Sequence, residues 1–130
     1  MDRQSLAASS LASATQVHAH PLWNDVCTVV EGQSYNMAAS GQWWDWFIRC
    51  GPDGYSWALL QPVAHLKRSP EDKWFCLMGA IDQDPGSIFR IGSARHWTAT
   101  KSGTLSCFAN DIAAMRWNNW GSVSIEVQIA

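Results

Sequence analysis

Apolar and polar residues alternate in short runs along most of this chain, and Gly, Pro, Asn and Asp cut the runs. The last run is the cleanest: Val123, Ile125, Val127 and Ile129 share one parity, and Ser122, Ser124, Glu126 and Gln128 the other. Successive side chains of a strand point to opposite faces, so this spacing predicts a half-buried antiparallel strand. By the same logic Val26, Thr28 and Val30 share one face of a first strand. Tyr35, Met37 and Ala39 form a second, after the Glu31–Gly32–Gln33 turn. Gly41 leads into a third, Trp43 to Cys50. Gly51–Pro52–Asp53–Gly54 stops it, with Pro presetting one φ and Gly accepting a positive one. Residues 56–73, which contain Pro62 and Pro70, read as a loop around one short strand. Phe75 to Ile81 is a strand, Asp82–Gln83–Asp84–Pro85–Gly86 a turn, and Ser87 to Ile91 another strand. Trp97–Thr100 and Thr104–Ala109 flank Lys101–Ser102–Gly103 and predict a hairpin.

Helical periodicity is nearly absent, so the predicted fold class is all-β. Eight or so strands favour two packed sheets, since a lone sheet leaves a face uncovered. The expectation is a compact antiparallel β-sandwich of jelly-roll type, one domain over residues 21–130. Residues 1–20 read as an N-terminal arm, either flexible or completing an edge strand.

Composition narrows the function. Apolar residues are 47% of the 130, enough for a core, while charged residues are 15% and the formal net charge is -2. No basic block exceeds Lys67–Arg68, which argues against a nucleic-acid partner. No apolar run approaches the ~20 residues that span a bilayer. Residues 1–20 lack the charged-then-apolar pattern of a signal peptide. Cys27, Cys50, Cys76 and Cys107 lie among apolar residues without paired-ligand spacing and read as buried thiols, with at least one disulfide as the alternative. Nine tryptophans exceed what a domain of this size needs. Trp117 and Trp120 flank a polar loop, where an indole face can pack on a sugar ring.

That loop carries the chemistry. Asp111, Asn118 and Asn119 put a carboxylate and two amides between two strand-like segments. Hard cations such as calcium take several oxygen ligands of these kinds. The plainer reading is a pair of Asx turns capping a loop. Asp82, Asp84 and Gly86 resemble part of an EF-hand but lack its distal glutamate, and read as a turn. His18, His20, His65 and His96 are scattered, and no triad or nucleophile-elbow pattern is present, so no enzyme is expected. Asp45, Asp53 and Asp111 could supply a glycosidase pair, but a calcium-bound carboxylate is a poor general acid.

Asn110–Asp111, six intervening residues, and Asn118–Asn119–Trp120–Gly121–Ser122 opening the last strand resemble the calcium-dependent galactose-binding lectins of the PA-I (PA-IL) type, a bacterial family of β-sandwiches. The likeness extends more loosely over residues 25–129. It implies that Asp111, Asn118 and Asn119 are side-chain ligands of calcium and that Met115 donates a backbone carbonyl. A further ligand comes from Trp44 or Asp45, the latter by carbonyl or carboxylate. The family has sugar hydroxyls complete the calcium shell, with Asp111, Asn118, Asn119 and the backbone around Ile112 binding them. Trp43, Trp44 or Trp117 would stack on the ring, and His65 would reach it from its loop. Tyr55, Ser56, Trp57 and Ala58 stand where the family carries sugar-contacting His and Gln. The implied protein is a lectin with galactosides as first ligands and a homodimer or homotetramer as its assembly. It would be cytoplasmic or released without a signal sequence. The rival is a structural or interaction module that keeps the sandwich without binding sugar.

Overall fold

A computed structural model describes residues 14–130. Ten strands, β1 (Thr15–His18), β2 (Asn24–Val29), β3 (Ser34–Asp45), β4 (Ile48–Cys50), β5 (Asp53–Tyr55), β6 (Trp74–Ile81), β7 (Phe89–Arg90), β8 (Ala94–Thr98), β9 (Gly103–Ala109) and β10 (Asn119–Ile129), form two sheets. The first runs β1-β10-β3, with β4 and β8 sharing the far edge of β3; the second runs β2-β9-β6, with β5 and β7 sharing the far edge of β6. Every pairing is antiparallel. The fold is an all-β sandwich, as the alternation predicted.

The inner faces meet in one core. Val17, Tyr35, Met37, Trp43, Val123 and Ile125 of the first sheet pack against residues such as Phe75, Leu77, Ile81 and Leu105 of the second. Trp43 ties the layers together: its indole N–H donates to the Phe75 carbonyl at 3.1 Å, and its ring meets Phe75 edge-on at 5.9 Å. All eight residues of β6 are buried because its outer face is covered too, with Cys76, Met78 and Phe108 lying under Trp23 and Ile88. A continuous apolar run is what burial on both faces requires.

Several boundaries differ from the sequence reading, each for a local reason. The second strand and the start of the third are one, because Gly41 at φ +102 carries β3 through opposite Val123; the rest of the third turns back at Trp46–Phe47 and pairs with β3 as β4. A register shift between Asp25 and Cys27 moves the inward parity of β2, so Val29 is buried and Val30 exposed. Residues 97–109 are not a hairpin: β8 pairs with β3 and β9 with β2 and β6, so the chain crosses between sheets. The section read as a loop with one strand holds a 3-10 helix, Ala58–Leu66. Ile129, at the end of β10, is 48% exposed. Of the two readings of the N-terminal arm, Thr15–His18 follows the second, pairing with β10 as an edge strand with Val17 and Ala19 buried; residues 1–13 lie outside the described residues.

Candidate functional site

One end of the sandwich gathers the ends of β3 and β9 and the starts of β6 and β10. Strand parity chooses what each presents there. Tyr35, Met37 and Trp43 of β3 face the core, and two residues beyond Trp43 the same parity brings Asp45 to the sandwich end. In register across the strand pair stands Asn119, the first residue of β10. The chain between Ala109 and Asn119 makes a loop with a 3-10 turn, Ala113–Asn118.

The loop is held by Asn110, which is fully buried. Its amide donates to the carbonyls of Ser69, Asp72 and Lys73 at 2.9, 3.1 and 3.0 Å and accepts the Ser69 N–H at 2.9 Å. Arg68 N–H donates to the Asp111 carbonyl at 3.0 Å. Asn110 therefore splices the 68–73 segment to the loop. On the opposite side the Trp46 N–H donates to the Asn118 carbonyl at 2.9 Å, and the Trp120 indole donates to the Trp46 carbonyl at 3.0 Å.

Within this frame, several buried polar atoms are left unmatched. Among the described residues the buried side-chain atoms with no hydrogen-bond partner are Asp111 Oδ2, Asn118 Oδ1, Asn119 Oδ1 and Arg116 Nε. Three of the four are oxygens of the loop residues that the sequence singled out. A buried polar group without a partner costs about 1–3 kcal/mol, and natural folds rarely leave several together. Asp111 Oδ1 accepts the Ile112 N–H at 2.7 Å, and the Asn119 amide donates to the Ala19 carbonyl at 3.4 Å. The Ile112 N–H is thus committed to Asp111 rather than directed at a ligand.

The electrostatics agree with the geometry. Burial pushes the Asp111 carboxyl up to about 6, with the Asp45 charge adding to it and the Ile112 N–H and Asn119 amide opposing it. Burial raises Asp45 as well, against the Tyr55 hydroxyl that donates to Asp45 Oδ2 at 2.5 Å. Tyr55 is raised by burial and by that same carboxylate. Among the described residues no cation acts on either carboxyl, an arrangement a divalent cation would relieve. The donor set of carboxylate and amide oxygens suits calcium, which takes six to eight oxygens and accepts flexible geometry. The residues present fit that ion.

Beside these residues opens a cleft of about 560 Å³, whose walls include Asp45, Asp111, Asn118, Ile112 and Met115. Trp46, Phe47, Tyr55, Trp57, Leu60 and Val63 also line it. Gly54 lets β5 deliver Tyr55: it sits at φ +75, and a side chain there would meet the Trp74 carbonyl at 2.3 Å.

The structure divides the sequence-predicted set. Asp111, Asn118, Asn119 and Asp45 are brought together, with Ile112 and Met115 beside them. Trp43 is fully buried in the core, so the expectation that it stacks on a ligand is withdrawn. The Trp44 ring points to the outer face, stacked on Trp120 at 4.6 Å, so its side chain does not reach the cleft. Trp117, 70% exposed, is not on the cleft wall, and neither is His65, exposed on the 58–66 helix whose Leu60 and Val63 are. Asp53 is occupied elsewhere, accepting from Ser93 N–H and Oγ at 2.7 and 2.8 Å. Sequence reasoning missed Trp46, Phe47, Leu60 and Val63 as wall residues. Tyr55 and Trp57 were legible only as departures from the family pattern.

No protein-family model matches this chain, and no curated protein matches it. A solved structure does. It is described as "EclA N-terminal domain; PllA-like lectin", and it superposes with a TM-score of 0.63 at 18% identity, covering 90% of this chain and 95% of that one. The fold is lectin-like. At this identity the likeness concerns the sandwich and does not extend to the PA-I type.

Proposed function

We propose that this protein is a calcium-dependent carbohydrate-binding protein, a lectin, with galactosides as the first ligands to test. The observation that carries the reading is the set of buried, unpartnered oxygens on Asp111, Asn118 and Asn119, with Asp45 in register beside Asn119. Those four residues would hold the ion, with Met115 as the candidate carbonyl donor. Bound calcium would supply positive charge and open coordination positions for neighbouring hydroxyls of a sugar. The chain's own groups do the rest: Tyr55 orients Asp45, Ile112 N–H fixes one Asp111 oxygen, and Asn110 holds the loop.

Support also comes from the architecture. The solved structure with the same fold is described as a PllA-like lectin. A lectin-domain neighbour suits a binding role more than a catalytic one. Hydroxyl-for-water exchange on an exposed ion yields modest affinity. Pairing of subunits into a dimer or tetramer would raise it by multivalency.

Titration calorimetry of methyl glycosides, galactoside first, with excess calcium and then with EDTA, tests the reading. Binding heat that appears only with calcium and vanishes in Asp111→Ala supports it. Calcium binding without any sugar heat would favour a calcium-stabilised scaffold. Absence of both would return the loop to a purely structural role.

A further inference from the structure

Of the buried polar atoms left without a partner among the described residues, one is not an oxygen. Arg116 Nε is a donor and needs an acceptor, which a cation at the loop oxygens does not provide. Arg116 belongs to the 113–118 turn, yet Met115 and Asn118 of that turn line the cleft and Arg116 does not. Its unmatched donor is therefore not part of the cleft.

A second arginine stands beside it. The segment 20–22 touches both: the His20 ring donates through Nδ1 to the Arg116 carbonyl at 3.1 Å, and the Leu22 carbonyl accepts from Arg68 Nη1 at 2.6 Å. Arg68 is held against two aromatic rings, with its guanidinium carbon 3.6 Å from the Phe108 centroid and 4.6 Å from that of Trp23. Such contacts fix the planar group but do not replace in-plane acceptors for its five N–H donors. Burial, and then the charge of Arg116, lowers Arg68 to about 10. Among the described residues the ion pairs are Arg90–Asp72 and Lys101–Asp84, so neither Arg68 nor Arg116 has a carboxylate against it. Both side chains are only half-exposed. Two neighbouring guanidinium groups with unmatched donors and no acid to neutralise them are what a protein presents to an anion.

We infer that Arg68 and Arg116 bind a tetrahedral oxyanion, a phosphate or a sulfate, either free or as an ester on a larger molecule. Two positive charges match a dianion better than a single carboxylate. A tetrahedral ion also has oxygens enough for Arg116 Nε and for the free donors of Arg68 at once. The site lies apart from the cleft and does not depend on the calcium reading.

Thermal melting of the full chain in EDTA tests the site, with sodium chloride compared against phosphate, sulfate and acetate at matched ionic strength. Working without calcium keeps this result independent of the metal site. Phosphate or sulfate should raise the melting temperature by about 3 °C or more over chloride, and acetate by less. Arg116→Gln should remove that rise. Should this variant fail to fold, Arg116→Lys, which keeps the charge but lacks Nε, should weaken oxyanion binding about tenfold by calorimetry. Calorimetry also separates the two sources. A sulfated monosaccharide that binds about tenfold tighter than inorganic sulfate assigns an ester on a glycan, and equal or weaker binding assigns the free ion. Equal melting in all four salts would overturn the inference. So would a rise that survives in Arg116→Gln, which general exclusion of these salts from the protein surface would give, or an oxyanion affinity unchanged in Arg116→Lys.

Discussion

The Asp82–Gly86 turn and the Asp111–Asn119 loop both offer carboxylates in a tight bend, yet they use their oxygens in opposite ways. In the first, Asp82 Oδ1 accepts the Thr104 N–H at 2.8 Å and Asp84 Oδ1 accepts the Gly86 N–H at 2.9 Å. Asp84 Oδ2 lies 3.6 Å from the Lys101 ammonium. Those carboxylates are partnered by the fold itself, and they hold a backbone in which Asp82 and Gln83 take positive φ. In the second, Asp111, Asn118 and Asn119 each bury an oxygen that nothing in the described chain satisfies. Acidic composition does not separate these two bends. Accounting for each acceptor does.

The contrast is sharpest at Asp111. Asp111→Asn should abolish the calcium-induced rise in melting temperature and weaken calcium-dependent glycan binding by more than the ~10–100-fold typical of a ligand's supporting partner. The same change should raise the melting temperature in EDTA at pH 7.5. The sign follows from linkage: a carboxyl whose folded pKa is raised to about 6 is ionised there against its surroundings, and the amide removes that penalty. An unchanged calcium shift in this variant would erase the distinction between the two bends.

Asn110→Ala probes the frame rather than the site. It strands the Ser69, Asp72 and Lys73 carbonyls, so chemical denaturation should show a loss of about 3 kcal/mol. Tyr55→Phe removes the hydroxyl that orients Asp45; calcium affinity should drop about tenfold with little change in EDTA stability. Asp84→Ala has the smallest expected effect, a loss of about 1 kcal/mol from the Gly86 turn bond, with the calcium shift of the melt retained. A lost calcium shift there would move the cation site to the wrong bend.

Legibility from sequence followed how local each cause is. Val123, Ile125 and Val127 were found by parity alone, because alternation is a property of one strand. The Asp111–Asn119 set was readable because its members are close along the chain. Val29 was missed through a bulge, a property of the pairing between β2 and β9. Trp43 was misplaced on the ligand side because nothing in its neighbours says that Phe75, far along the chain, caps it. The rest of the cleft that the loop lines was not legible as a cleft. It joins the 46–48 turn, β5 and the 58–66 helix, which only the packing of the two sheets brings face to face.

By itself, then, the sequence determined the all-β class, the parity of most core strands and the oxygen-bearing loop, since each depends on residues within one strand or one turn. Tertiary structure decided which strands share a sheet, that Asp45 stands in register with Asn119 and that the Trp44 ring stacks on Trp120. It also decided that three of the loop's oxygens are buried without partners and that apolar residues from distant segments line the cleft beside them. Those are outcomes of which distant segments come into contact, and burial and hydrogen-bond satisfaction exist only once they do.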